Sequence, residues 1–239
     1  MGHLKMGTCT VYWSVVERND NPNSSLSLAA IPPYPLYDDI KNNEASYPFR
    51  ICPSVVQETK RTFVLGSPVD YSLGRNGSNF YSKTMDQNFY NNYVTVTDAD
   101  NGLTFFNLQI LLFSEENMEV TQLPPYFHNT EFTKNTTTIP GSLNISRWYR
   151  PLHPAFYLHN NSFVRINRGD PILYWRFNTN KKVQFKRFAY TDKIRQIANS
   201  CVNIRKIFAH PKLDFIYNLT KQAGWDRRLF REIKSNLIF

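Results

Sequence analysis

The strongest constraint on this chain's fold lies between residues 141 and 188, where short β-forming segments follow one another without a helical period. The segments read SLNISRWYR, AFYLH, SFVRINRGDPILYWRF and KKVQFKRF. Each is rich in β-branched and aromatic residues. Turn formers separate them, notably Asn160-Asn161 and Arg168-Gly169-Asp170-Pro171. Strands recurring at roughly ten-residue spacing predict antiparallel sheets, and so a β-sandwich or jelly roll over a βαβ fold.

The earlier part of the chain fits that class. Thr8–Val16 (TCTVYWSVV) reads as a strand that ends at the turn cluster ERNDNPNSS. Prolines at 32, 33, 35, 48 and 53 predict an extended segment over residues 31–53. Pro53 then opens one or two helical turns, and Thr62–Leu65 returns to strand. The polar stretch 72–92 predicts a long loop or a protruding hairpin. Tyr93–Thr97, the turn DADNG and Leu103–Phe113 predict a hairpin. The near-continuous apolar end of its second strand calls for cover on both faces. A proline-aromatic linker follows at Leu123–Phe127, and 129–139 reads as extended.

The period changes at Thr191. Ile194, Ile197, Ala198, Cys201 and Ile204 form the stripe of an amphipathic helix capped by Thr191. Further helices are expected from Pro211 to Ala223, with Gly224 as the stop, and over Asp226–Leu237. The expected division is a β body over 1–190 with proline-rich arms, and a basic helical tail over 191–239.

Charge is divided along the chain. The net charge is +9, yet residues 1–120 carry 8 Lys and Arg against 13 Asp and Glu, a net of −5. The last 59 residues carry 14 against 4, a net of +10. Such asymmetry predicts either a basic surface for nucleic acid, an acidic protein or a membrane surface, or docking of the basic half on the acidic half or on a neighbouring subunit. The cations selected as a partner- or nucleic-acid-binding surface are Lys181, Lys182, Lys186, Arg187, Arg227, Arg228, Arg231 and Lys234, with Tyr190, Trp225 and Phe230 interleaved.

Patterns that carry chemistry are not found. None of His3, His128, His153, His159 and His210 is followed two positions later by an acid, as a facial-triad metal site would begin. His128 and Glu131 would share a helix face only if their segment were helical. Cys9, Cys52 and Cys201 stand at spacings of 43 and 149, which match no metal or redox motif. There is no G-x-S-x-G elbow, no H-E-x-x-H and no P-loop; the glycine-bearing GRNGS at 74–78 reads as a turn. Asp38-Asp39 and Glu115-Glu116 are adjacent acids, which diverge on an extended chain. No catalytic, cofactor or metal residue is assigned. No apolar run nears the roughly 18 residues of a membrane span, and the start MGHLKMGTCTVYW lacks a secretory signal's apolar core, so export by that route is not expected.

The order of YWS, a proline-rich link, FRICPSVVQETKRTFVLGSPVDYSL, GSLNISRWYRPLHPAFYL and RINRGDPILYWRF resembles a group of uncharacterised jelly-roll-like proteins of contractile-tailed cyanobacterial and marine phages. The resemblance covers roughly residues 11–188 and carries over no functional residue. It implies a viral origin, with a location in the virion or the host cytoplasm. Together these features predict a non-enzymatic virion or assembly protein that contacts other virion proteins or itself. The alternatives are a metal-dependent enzyme of jelly-roll type and a non-specific nucleic-acid-binding accessory protein.

Overall fold

A computed structural model describes residues 7–15, 31–42, 51–84, 90–91, 93–107, 110–147, 151–207 and 213–238, with the backbone alone for 201–207 and 213–214. The turn cluster at 17–25, Pro48, residues 148–150 and the helix start expected at Pro211 lie outside the described residues. So do the side chains of Cys201 and Ile204.

The protein is mainly β, with sandwich-like sheets and helices at its C-terminal end. One sheet sets β1 (Thr8–Val15) between β8 (Ile110–Phe113), antiparallel, and β15 (Lys182–Arg187), parallel. The largest sheet runs in the order β11 (Gly141–Asn144), β9 (Glu119–Leu123), β14 (Pro171–Phe177), β3 (Thr62–Gly66) and β2 (Tyr34–Pro35). A third holds β10 (Thr136–Thr138), β12 (Ala155–Leu158), β7 (Leu103–Phe106) and β6 (Val94–Asp98). The fourth holds β13 (Ser162–Ile166), β4 (Tyr71–Asn76) and β5 (Asn79–Tyr81).

Alternation along the strands decides what each face covers. Val11 and Trp13 of β1, Leu112 of β8 and Trp175 of β14 turn into one large core that draws on all four sheets. On the opposite face of the first sheet, Tyr12, Leu111 and Phe113 pack against the C-terminal helices. Those are α4 (Asp192–Ile207), α5 (Leu213–Gln222) and α6 (Trp225–Ser235), which contribute Ile194, Leu229 and Ile233 to that cluster. The ILLF run of β8 is therefore apolar throughout because both of its faces are covered. The Thr191 hydroxyl accepts the Ile194 N–H at 3.3 Å, the cap expected for α4. Gly224, at φ 69°, ends α5 in the left-handed region that suits glycine.

The structure departs from the sequence expectations at four places. Residues 31–53 are not extended throughout: α1 (Leu36–Asn42) forms just after Pro35 and buries Leu36 and Ile40 against Val64 and Tyr174 on the outer face of the largest sheet. A second short helix, α2 (Pro53–Thr59), matches the expected turn. The strand expected over Leu103–Phe113 is two strands in different sheets, β7 and β8. Asn107 stands at the break, where its side-chain amide bonds the Thr95 hydroxyl at 2.9 Å. The 72–92 stretch does open as a hairpin, β4 paired antiparallel with β5, but its first arm is buried through residue 75 inside a sheet. Residues 129–139 hold α3 (Glu131–Asn135), whose first turn is closed by reciprocal bonds between Thr130 and Thr133. His128 precedes that helix, so the i, i+3 relation to Glu131 is not a helical one.

Three hairpin turns meet on Arg75. Its guanidinium donates to Gly77 O at 2.8 Å, to Leu158 O at 2.8 Å and to Asp100 O. Only 7% of the residue is exposed. Gly102, at φ 81°, leaves room for this contact, since a Cβ there would overlap both Arg75 Nη1 and Leu158 O.

Candidate functional site

The bend after β8 presents two carboxylates that face different neighbours. Glu115 accepts from the Tyr12 hydroxyl at 3.4 Å and pairs with Lys234 at 3.2 Å. Glu116 pairs with Lys181 at 2.7 Å. This hydrogen bond and charge hold the Lys181 ammonium above its ordinary range. The Tyr12 phenol is raised chiefly by burial and further by Glu115. Two of the eight cations selected from the sequence are thus paired within the molecule, in exposed contacts that solvent screens. To that extent the basic half does dock on the acidic half.

The other six divide further. The Arg187 guanidinium lies 5.4 Å from the Trp13 ring centroid and is half-buried. Lys182, Lys186, Arg227, Arg228 and Arg231 are exposed, and no carboxylate among the described residues forms an ion pair with them. Two elements carry them. On β15, register with Thr8 and Tyr12 of β1 places Lys182 and Lys186 on the helix side of the sheet. On α6, burial of Leu229 and Ile233 turns Arg227 and Arg231, one helical turn and about 6 Å apart, toward solvent. The interleaved aromatics are spent on packing: Tyr190, Trp225 and Phe230 lie against the Tyr12–Leu229 cluster. Tyr12 and Phe230 meet edge to face at 5.5 Å.

A shallow cleft of about 170 Å³ opens beside Arg227, with Phe113 and Phe230 as its apolar walls. Glu115 and Asp226 also line it and offset the Arg227 charge, so it does not favour a free anion.

A second cluster, unforeseen from the sequence, joins α1, the linker after β9 and β14. The His128 Nε2–H donates to Asp39 Oδ2 at 3.0 Å, and Nδ1 accepts from the Tyr174 hydroxyl. The tautomer follows from the surroundings, because the Tyr174 oxygen is also bonded by the Phe127 N–H and has its own proton left to give. Tyr34 donates to the same Asp39 carboxylate, and burial holds both phenols well above their ordinary range. Sequence separations of 89 and 46 residues join the three groups, so no spacing motif announces them. Both imidazole nitrogens are committed within the chain and Tyr174 is fully buried, while the His128 and Asp39 side chains keep 24% and 37% of their surface exposed. Chemically this is a brace that ties α1 and the proline linker to the sheet.

His159 bonds the Thr137 hydroxyl at 2.9 Å across the β10–β12 pair. Among the described residues no three His, Cys, Asp or Glu side chains gather as metal ligands do, and no helix is long and apolar enough to cross a membrane. Neither the known protein-family models nor the curated proteins offer a match to this chain.

Proposed function

We propose that this chain is a non-enzymatic virion or assembly protein of a contractile-tailed phage, acting through contacts with other virion proteins or with itself. The observation that carries the reading is the exposed set Lys182, Lys186, Arg227, Arg228 and Arg231, with which no described carboxylate forms an ion pair. Charge left unpaired at a surface favours encounter with an oppositely charged partner more than it favours the fold. The His128 relay supports the same reading, since its hydrogen-bonding capacity is used to hold elements together. The phage assignment rests on the sequence resemblance alone.

A second reading follows from α6. Arg227 and Arg231 on one exposed helix face offer two forked guanidinium groups to successive phosphates, so non-specific nucleic-acid binding is the alternative. The deciding experiment is mass spectrometry of purified, nuclease-treated particles of the encoding virus. Stoichiometric presence supports the virion role. Absence from particles, with abundance in infected cells, overturns it and leaves DNA retention by the Arg227→Gln/Arg231→Gln variant as the next comparison.

A further inference from the structure

We infer that the open edge of β15 is a docking site for an acidic, extended segment of a partner protein, which joins the β15–β1–β8 sheet as an added strand. The inference rests on the protein-contact reading and specifies its partner.

The backbone supplies the first argument. Lys182 N–H bonds Gly7 O at 3.0 Å and Phe188 N–H bonds Trp13 O at 3.1 Å, so the even-numbered residues of β15 face β1. In a parallel pair alternate residues serve the same neighbour, and Val183, Phe185 and Arg187 therefore direct their N–H and C=O groups the other way. That side already accepts extended chain. Arg187 O takes the Ile238 N–H at 2.9 Å, and Ala189 N–H donates to Asn236 O at 2.8 Å, forming an antiparallel bridge between Phe188 and Leu237. The outward groups of Val183 and Phe185 come next along the same edge. Among the described residues nothing pairs with them.

Side chains choose the partner. Lys182, Gln184 and Lys186 are exposed on one face of β15, while Val183 and Phe185 are half-buried on the other and pack on the main core. An added strand would meet ammonium groups on one face and an apolar border on the other. Alternating acidic and apolar residues satisfy both. Two copies paired edge to edge would set lysine against lysine, which disfavours self-association here. Nucleic acid fits less well, because phosphates accept hydrogen bonds and cannot donate to the carbonyls of Val183 and Phe185.

The test uses the full chain at low salt with three probes: an alternating valine–glutamate peptide, its valine–lysine counterpart and a short oligodeoxythymidylate. Binding is read by fluorescence anisotropy, and hydrogen exchange is read at the Val183 and Phe185 amides. The glutamate peptide should bind at least about tenfold more tightly than the lysine peptide and slow exchange at both amides. In the doubly exposed K182E/K186E variant the preference should invert. Equal affinity for the two peptides overturns the proposal, as does protection of this strand by the oligonucleotide and not by the peptide. If the chain is present in particles but the peptide gives no protection, the edge proposal fails alone. If the peptide protects but particles lack the chain, the virion reading fails alone.

Discussion

Replacing Arg75 by Met removes the guanidinium while keeping an apolar stem of similar length, and the structure sets the expected loss. Three hydrogen bonds from a charged donor are worth about 1.5–3 kcal/mol each. Burial of the guanidinium, which only 7% exposure permits to stay hydrated, costs several kcal/mol in return. What remains after truncation depends on the acceptors. Gly77 and Asp100 lie in exposed turns where water can replace the lost donor, whereas Leu158 is fully buried and its carbonyl loses the Arg75 Nη1 donor. One orphaned buried carbonyl and the loosening of three turns should together cost about 2–4 kcal/mol. Equilibrium urea unfolding measures the loss, and native-state hydrogen exchange should speed up at residues 76–78, 99–102 and 158–161 together. A loss below about 1 kcal/mol, or faster exchange at one turn alone, would refute the idea that Arg75 joins the three hairpins.

Three further outcomes follow from burial. The Tyr71 hydroxyl is buried with no hydrogen-bond partner among the described residues, so Tyr71→Phe should raise stability by about 1 kcal/mol in the same urea assay. Leu229→Ala should cost about 2–4 kcal/mol, since Leu229 is fully buried between α6 and the first sheet; a change near zero in the unfolding midpoint would mean that the helices do not pack there. The Tyr71 and Tyr174 phenols are raised in the folded protein, chiefly by burial. The unfolded chain therefore ionises first: their contribution is complete below about pH 10 and falls above it by about 1.4 kcal/mol per pH unit for each phenol. Unfolding midpoints measured from pH 9 upward should decline on that slope, and a flat profile would contradict the burial of these phenols.

The parts of the fold that were legible in the sequence are those whose local pattern and tertiary role agree. The β12–β15 run alternates and is punctuated by turn residues, and Asn161 does adopt the left-handed turn conformation at φ 52°. The α4 stripe begins after a Thr cap that forms as expected. Residues 36–42 were illegible because the five prolines of 31–53 favour extended chain over that window, whereas 36–42 itself holds no proline and is free to form a helix. The division at Asn107 has no local signal, since both halves of LTFFNLQILLF are apolar and only the sheets they join differ. Among the residues selected by charge, Lys182, Lys186, Arg227, Arg228 and Arg231 are exposed. Sequence charge could not foresee that Glu115 and Glu116 would engage Lys234 and Lys181, or that His128 would find Asp39 and Tyr174, because those pairings arise only in three dimensions.

The central claim is that exposed, unpaired cations make this chain a contact protein. Its most direct test is incorporation of a variant carrying Gln at positions 182, 186, 227, 228 and 231 into particles alongside the native chain. Circular dichroism and the urea midpoint should match the native protein, because none of these five side chains enters the packed clusters. The account predicts that particle-bound variant, quantified by mass spectrometry, falls at least about tenfold. Undiminished incorporation of a fully folded variant would contradict it.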